Sequence, residues 1–219
     1  MDTVNIITEL KRVGILTLLN DEQLSLLAKK VTTKQLQSNE IFIEQDAITD
    51  TAYLIISGAV KVYRMTTEGE EIMLDTKGPG EIVGEMALLD GKPRSAYVET
   101  IKDSTFFCIS KQNFLEVIEK NPQISINIIR HLILQIREFN QRMEDTTSKN
   151  LCDRTYTTLK TLGTYFPNND ITLSQEQLAS IVGGTRARIT ECLNNLEKGG
   201  KITLSHKKIH LNSQYPPNT

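Results

Sequence analysis

The thirteen residues from Gly84 to Ala96 carry side chains whose types and spacing suit ligand binding, in the order Gly-Glu-Met-Ala-Leu-Leu-Asp-Gly-Lys-Pro-Arg-Ser-Ala. Glu85 is an acceptor-only carboxylate, which suits a sugar hydroxyl. Arg94 presents a planar fork of donors that matches phosphate oxygens two at a time. The segment therefore predicts a site for a molecule that carries both a sugar hydroxyl and a phosphate.

The same run also offers main-chain donors. Gly84 and Ala87 are small enough for the backbone to approach an anion, and Met86 lies between them at the expected start of a short helix. Ser95 adds a hydroxyl beside the arginine. A simpler alternative is a polar turn–helix connection in which the glutamate and the arginine form an ion pair at the surface.

Short strands are predicted on both sides of this run. The β-branched or aromatic runs between about residues 34 and 110 are 41–43, 52–56, 59–65, 70–74, 96–101 and 105–109. Many short strands at this spacing predict a small antiparallel barrel or jelly roll. The run 84–96 then lies on a connection between two strands, which is a common place for a binding site. Residues 4–30 read as helices, one of them with Asn20 as N-cap.

A long helix is predicted from about Pro122 to Thr147. Its apolar positions step by 3, 4, 3 and 4, which is an a/d stripe over two heptads, at Ile129, Leu132, Ile136, Phe139 and Met143. This stripe predicts the seam of a two-fold dimer. The alternative is a helix packed on its own domain, with Ile128 and Ile133 facing the barrel. The polar stretch 144–148 is the expected hinge.

A helix-turn-helix is predicted after residue 151. Ser174 caps the first of its two helices with Gln177 as the capping-box partner, Gly183 permits the tight turn, and Thr185 caps the second helix. A helix over 151–165 and a short strand over 171–173 precede it. Residues 201–204 and 208–211 read as the two strands of a β-hairpin wing.

Charge divides unevenly along the chain. Residues 1–145 hold 16 Lys and Arg against 22 Asp and Glu, whereas residues 146–219 hold 9 against 5. A basic C-terminal part predicts a polyanionic partner.

Cys108, Cys152 and Cys192 are far apart and have no paired spacing, which argues against a disulfide framework and a zinc site, and the three histidines form no metal spacing. No metal is expected.

The second helix of the helix-turn-helix begins with residues suited to reading DNA. Arg186 is the first candidate for a base contact, because arginine is the commonest reader of guanine, and Arg188 suits a base or a phosphate. The alternative is a pair of solvated charges. Candidate backbone contacts on the helix starts and the wing are Ser174, Thr185, Lys201, His206, Lys207 and Lys208.

The cassette Gly84–Ala96, the long helix and the winged helix-turn-helix, in this order, resemble the bacterial cyclic-AMP receptor protein (CRP/FNR) family over about residues 10–212. The resemblance implies an α+β fold in three parts. These are an N-terminal β jelly-roll cyclic-nucleotide-binding domain over 1–121, a long dimerisation helix and hinge over 122–148, and a C-terminal winged helix-turn-helix DNA-binding domain over 149–219. It also implies an allosteric, homodimeric transcription regulator.

The resemblance implies roles for the cassette as well. The family's glutamate holds the ribose 2′-hydroxyl, its arginine neutralises the cyclic phosphate, and the next hydroxyl supports the phosphate. The receptor has a Thr-Ser pair on the long helix against the adenine, where this chain has Phe139-Asn140, with Arg137 nearby. This departure leaves the choice of base open, and the family resemblance makes cyclic AMP the first expected effector. Cyclic GMP, cyclic di-GMP and DNA binding without nucleotide are the alternatives.

The resemblance also bears on the operator and on partners. Arg186 matches the receptor's first base-reading arginine, whereas Ala187 and Glu191 replace its glutamate and its later arginine, so a different operator is expected. The expected partners are double-stranded operator DNA, a second copy of the chain and RNA polymerase, with no membrane. The chain is expected to be cytoplasmic, because it shows no apolar run long enough to span a bilayer and no signal-peptide pattern at its start. It is expected to hold no covalent cofactor. It is not expected to be an enzyme, because no His/Asp metal constellation accompanies the cassette.

Overall fold

The computed structural model describes residues 3–13, 16, 19–69, 71–148, 150–206 and 208–212, and leaves the side chains of 3–5, 138 and 142–148 undescribed. Within these ranges the chain forms eight α-helices and nine β-strands. It divides into two compact units, one of residues 1–70 and 74–139 and one of residues 71–73 and 140–219. No helix within these ranges is both long and apolar enough to cross a bilayer.

The first unit contains the helices α1 Thr3–Leu10, α2 Asp21–Ala28 and α4 Lys111–Lys120 and the first part of α5 Pro122–Ser148, which continues into the second unit after Phe139. The predicted N-cap of α2 is confirmed, because the Asn20 side chain accepts from the backbone N–H of Gln23 while the Gln23 side chain accepts from that of Asn20. Asn20 and Gln23 thus satisfy donors that the first helical turn leaves without partners.

Six strands form the sheet, with bounds β1 Thr32–Leu36, β2 Ile41–Ile43, β3 Thr51–Met65, β4 Glu71–Lys77, β5 Ile82–Val83 and β6 Tyr97–Ser110. The strand order is β1-β6-β3-β4, with β2 also paired to β6 and β5 to β3. The predicted jelly roll is confirmed. A short helix, α3 (Glu85–Asp90), lies on the connection between β5 and β6.

Two predicted strand breaks were wrong. The predicted pairs 52–56 with 59–65 and 96–101 with 105–109 are single long strands, β3 and β6, whose mutual register shifts near Ser57 and Ala59. The reason is a close approach of the two backbones, since a Cβ atom on Gly58, at φ +103°, would overlap the Ser104 side chain. Gly58 therefore permits a bend within a continuous strand rather than ending it.

The apolar core of the first unit has two parts. Between the helices and the sheet, Leu24, Phe107, Ile124 and Ile128 belong to one buried cluster. Between the two faces of the jelly roll, Phe106 belongs to a second cluster with residues such as Ile43, Ile55, Val83 and Val98. This second cluster reaches the end of β5, so the connection that carries α3 starts from a rigid base.

The second unit contains the predicted helix-turn-helix and wing, with bounds α6 Leu151–Gly163, β7 Asp170–Ile171, α7 Gln175–Val182, α8 Arg186–Lys198, β8 Ile202–Ser205 and β9 Lys208–Leu211. Ser174 and Thr185 cap α7 and α8 through their hydroxyls, and Gly183 turns between them at φ +74°. The three strands pair in the order β7-β9-β8. The predicted strand at 171–173 is shorter and starts one residue earlier.

The expectation that the cysteines do not pair was wrong. Cys152 in α6 and Cys192 in α8 form a disulfide, with their Cα atoms 4.9 Å apart and a sequence separation of 40. Spacing along the chain gave no sign of the pair, because the packing of α6 against α8 brings the two cysteines together. Cys108 is a free thiol.

Candidate functional site

The cassette is a tight turn followed by one short helix. β5 ends at Val83, Gly84 adopts φ +80° and ψ +8°, and α3 begins at Glu85. Glycine adopts this left-handed backbone conformation at little energetic cost, because it has no Cβ atom. The first N–H groups of α3 have no backbone acceptor within the helix, and the N–H of Glu85 is bonded by its own carboxylate.

The Arg94 side chain is buried in the turn, with only 2% of it exposed. Its Nε donates to Thr49 Oγ1 at 2.7 Å, Nη1 donates to the Gly84 carbonyl at 2.6 Å, and Nη2 donates to the Thr51 carbonyl. Charge-assisted hydrogen bonds of this kind hold a guanidinium firmly. Three of its five N–H groups are used in this way, which leaves one on each terminal nitrogen.

The backbone of Arg94 is also fixed. Its N–H donates to the Ala47 carbonyl at 3.0 Å, and its carbonyl accepts from the Asp46 N–H at 2.9 Å. The segment 46–51 therefore holds the arginine by main chain and side chain together. Because this segment leads directly into β3, the sheet determines where the guanidinium lies.

Glu85 is buried as well, with 6% of it exposed. Burial raises the pKa of its carboxyl, while Lys77, the backbone N–H of Glu85 itself and Arg94 act in the opposite direction. Lys77 is equally buried at 6%, and its Nζ donates to the Ile82 carbonyl at 3.4 Å. The alternative of an exposed Glu85–Arg94 ion pair is thereby overturned, since both charges lie inside the protein.

We expect Glu85→Gln to make the protein more stable at neutral pH. The folded-state pKa lies above the ordinary value of 4.5, so the folded protein binds the proton more tightly than the unfolded chain. The charged carboxylate therefore opposes folding above the raised pKa, and this penalty disappears as the pH falls below 4.5. Urea unfolding at pH 7 and pH 4, with the exposed Glu68→Gln as control, measures the difference. A less stable variant at pH 7 would contradict the assignment.

The other cassette residues differ in exposure. Ala87 is buried, whereas the Met86 side chain is 52% exposed. The Ser95 hydroxyl is exposed and points to Met86 Sδ at 3.9 Å. Ser95 and Met86 thus lie at the outer rim of the turn, with Arg94 and Glu85 inside it.

Sequence reasoning missed a polar stripe on α5. Asn127, His131 and Gln135 are spaced by four residues, and all are buried or half-buried. The Gln135 Nε2 and His131 Nε2 atoms are 3.2 Å apart. Burial, followed by the charge of Lys77, lowers the pKa of His131. The i, i+4, i+8 spacing of polar residues was the available signal, and it was hidden by the apolar stripe beside it.

The residues predicted to choose a base lie further along α5. The side chains of Arg137, Phe139 and Asn140 are all exposed, Phe139 by 55%. Arg137 and Phe139 belong to the first unit, and Asn140 belongs to the second. Their role in base selection stays a prediction.

The apolar stripe of α5 is shifted from the predicted one. Ile129, Ile136 and Phe139 are exposed as predicted, but Leu132 is half-buried against the core of the first unit, and the Met143 side chain lies outside the described residues. Ile126 and Ile133 are also exposed. The exposed face therefore runs through Ile126, Ile129, Ile133 and Ile136, again with steps of 3, 4 and 3 residues.

The start of α8 presents two arginines to solvent. The Arg186 Nη1 atom lies 3.0 Å from Glu176 Oε1 of α7, with both side chains well exposed. An exposed pair of this kind contributes little to stability and exchanges readily. Arg188 is exposed on the same turn, and the Thr185 hydroxyl accepts from its backbone N–H.

The predicted cations of the wing differ in their surroundings. Lys201 Nζ lies 4.9 Å from the centre of the Tyr156 ring. Lys208 Nζ lies 2.8 Å from Asp170 Oδ2, and His210 Nδ1 lies 2.8 Å from Asp170 Oδ1. His206 is exposed, and Lys207 is outside the described residues. Their DNA contacts stay predictions.

Comparison with known proteins gives a consistent result. Residues 33–121 match the family model of the cyclic nucleotide-binding domain. The chain is 28% identical over 190 residues to the CRP-like cAMP-activated global transcriptional regulator of Mycobacterium tuberculosis, covering 81% of this chain and 84% of that protein.

Two solved structures share the fold. A crp/fnr-family transcriptional regulator from Eubacterium rectale has a TM-score of 0.74 at 18% identity, covering 93% of this chain and 96% of that one. The c-di-GMP responsive global regulator CLP of Xanthomonas campestris has a TM-score of 0.73 at 20% identity, covering 89% and 100%.

The buried glutamate and arginine, in the segment that the family model matches, define residues 33–121 as a cyclic nucleotide-binding domain. The jelly roll, the long helix and the winged helix-turn-helix extend this likeness over most of the chain. The chain as a whole is similar to transcription regulators of the CRP/FNR family.

Proposed function

We propose that this protein is a homodimeric transcription regulator that binds a cyclic nucleotide and, in response, binds operator DNA. The observation that carries the proposal is the burial of both Glu85 and Arg94 in the cassette, in a chain that also presents Arg186 at the start of the second helix of a helix-turn-helix. The relatedness to a cAMP-activated regulator supports it.

The cassette supplies donors and an acceptor for a ribose cyclic phosphate. Each terminal nitrogen of Arg94 retains one N–H for a phosphate oxygen, and the N–H groups of α3 that follow Glu85 add further donors. Glu85 accepts from a ribose hydroxyl. Gly84 leaves room for the Arg94 guanidinium beside the backbone, and Ser95, Met86 and Ala87 border the proposed site.

Cyclic AMP is the proposed effector because the relative with 28% identity is named as cAMP-activated. Cyclic GMP and cyclic di-GMP are the alternatives, and one neighbour of the same fold is described as c-di-GMP responsive. We assign the choice of base to Arg137, Phe139 and Asn140 on α5. No covalent cofactor and no catalytic activity are proposed.

Isothermal titration of the full chain with cyclic AMP, cyclic GMP and cyclic di-GMP tests the sensor. We expect one ligand to bind per chain and Glu85→Gln to bind it about ten- to a hundredfold more weakly, since a hydrogen bond to a charged group contributes about 1.5–3 kcal/mol. Glu68→Gln should bind as the wild type does. Absence of binding to all three at millimolar concentration would exclude the sensor role.

Two copies of α5 are proposed to form the dimer seam along Ile126, Ile129, Ile133 and Ile136. Knobs-into-holes packing of the two helices along such a seam would bury the exposed apolar face of α5. Ligand binding then shifts the population towards the dimer state whose two reading helices lie about 34 Å apart, one turn of DNA. Sedimentation with and without ligand would detect a monomer if the seam is wrong.

Arg186→Ala is expected to weaken DNA binding and to relax its sequence preference. Loss of a bidentate contact to guanine costs about 1–3 kcal/mol. Glu176→Gln removes the carboxylate that pairs with Arg186, so we expect it to tighten binding a few-fold. Lys198→Ala, at the far end of the same helix, is the control. The measurement is fluorescence anisotropy on an operator selected from random DNA, and equal affinities for all four proteins would contradict the assignment.

A regulator that binds DNA without nucleotide is the second candidate, since the departure at Phe139-Asn140 removes the family's base-contacting pair. Gel shift with and without nucleotide separates the two candidates. In both, the protein would act in the cytoplasm with RNA polymerase as its further partner.

A further inference from the structure

A covalent bond joins two helices of the second unit, which contains the helix-turn-helix. Cys152 lies in the first turn of α6, and Cys192 lies in the middle of α8. The bond therefore holds α8, the proposed DNA-reading helix, against α6, the first complete helix of the second unit. Neither cysteine belongs to the ligand cassette or to the predicted DNA contacts.

The disulfide is close to the turn that presents Arg186. A Cβ atom added to Gly184 would lie 3.1 Å from Leu151 Cδ1 and 3.5 Å from Ile189 Cδ1, so this turn packs directly on both side chains. Leu151 precedes Cys152, and Ile189 lies one helical turn before Cys192. Movement between α6 and α8 at the two sulfur atoms is thus transmitted to the reading turn.

We propose that Cys152 and Cys192 form a reversible thiol–disulfide site that sets how firmly the reading helix is held and thereby tunes DNA affinity. This inference rests on the proposed function, because a DNA-binding regulator works in a reducing compartment, where a disulfide acts as a redox sensor rather than as a permanent brace. A small-molecule disulfide such as glutathione disulfide is the class of oxidant.

The exposure of the two sulfur-bearing side chains fixes the order of exchange. Cys152 is half-buried, whereas Cys192 is only 3% exposed. The Cys152 thiolate attacks the glutathione disulfide and releases one glutathione thiolate. The Cys192 thiolate then attacks the sulfur of Cys152 in this mixed disulfide and releases the second. Two protein thiols are oxidised, and one glutathione disulfide is reduced to two glutathione molecules.

The oxidised form has the more ordered reading helix. The cross-link closes a loop of 40 residues, which removes conformations from the open and unfolded states. In the reduced form the two sulfur atoms move apart to non-bonded contact, and α8 loses its fixed attachment to α6. A pre-ordered helix loses less entropy when it binds DNA, so the oxidised form binds DNA more tightly.

Thiol counting on the full chain tests the site without DNA. After glutathione disulfide treatment, we expect iodoacetamide to label Cys108 and the tryptic peptides 150–154 and 189–198 to appear joined. After dithiothreitol, all three cysteines should be labelled. Cys108→Ser keeps the joined peptides, and Cys152→Ser abolishes them. Three labelled thiols after oxidation, or a link through Cys108, would overturn the proposal.

Hydrogen exchange and DNA affinity test the consequence. We expect amide exchange within 189–198 to be about tenfold slower in the oxidised form, with the first unit unchanged. DNA affinity should fall about three- to tenfold on reduction, and Cys152→Ser should not respond to redox state. Equal exchange and equal affinity in both forms would overturn the redox inference while the proposed function stands. Joined peptides without DNA binding in either form would instead refute the proposed function.

Discussion

Arg94→Lys is expected to bind cyclic nucleotide at least about a hundredfold more weakly than the wild type, a loss of about 2.7 kcal/mol. The guanidinium meets Thr49 Oγ1 and the carbonyls of Gly84 and Thr51 from three nitrogens held in one plane. An ammonium is a single point charge and cannot reach these acceptors while it also faces a phosphate. The ligand would therefore lose its bidentate partner.

The same change should destabilise the fold by about 3 kcal/mol, because carbonyls buried around Arg94 lose charge-assisted hydrogen bonds. Urea unfolding gives the stability, and isothermal titration at a temperature where the variant is folded gives the affinity. Arg64→Lys, on an exposed part of β3, is the matched control and should change neither quantity. An affinity for the best ligand within threefold of wild type would show that Arg94 does not contact the phosphate.

The local features of the chain were predictable from sequence because they depend on neighbouring residues. The caps at Asn20, Ser174 and Thr185 are of this kind, since each hydrogen bond closes within three residues. The prediction of Glu85 and Arg94 as ligand residues also needed only types and spacing, and their contact with a ligand stays a prediction. A pattern within ten residues of chain identifies such features before any tertiary structure is known.

The surroundings of the same residues were not predictable. Thr49 and Thr51 lie more than forty residues before Arg94, and they reach it because β3 pairs with β5 and β6. Lys77 approaches Glu85 from the end of β4 in the same way. The burial of both charges is therefore a property of strand pairing, which one sequence does not specify.

The bend at Gly58 and the disulfide follow the same rule. A glycine next to a serine indicates a turn in the sequence, and only the close approach of Ser104 converts it into a bend of a continuous strand. The sequence spacing of Cys152 and Cys192 argued against a disulfide, because it carries no information on their distance in the folded protein. Both errors arose where a contact between distant segments outweighed a local signal.

Gly84→Ala is expected to remove ligand binding almost as completely as Arg94→Lys does. A Cβ at this position would lie 2.6 Å from Arg94 Nη1, 3.0 Å from Ile43 Cδ1 and 3.2 Å from the Thr51 carbonyl oxygen. The guanidinium would have to leave its place, which breaks its bond to the Gly84 carbonyl. In addition, a φ of +80° costs about 1–2 kcal/mol for a residue with a Cβ.

Gly69→Ala separates these two causes. Gly69 has a similar φ of +83°, and a Cβ there would meet no atom within 4 Å. We expect Gly69→Ala to lose only the conformational part, about 1–2 kcal/mol, with unchanged ligand affinity. Gly84→Ala should lose about 3 kcal/mol or more, because crowding and broken hydrogen bonds of Arg94 are added. If urea unfolding and titration give the same values for both variants, the cassette does not depend on the close contact between Gly84 and the guanidinium.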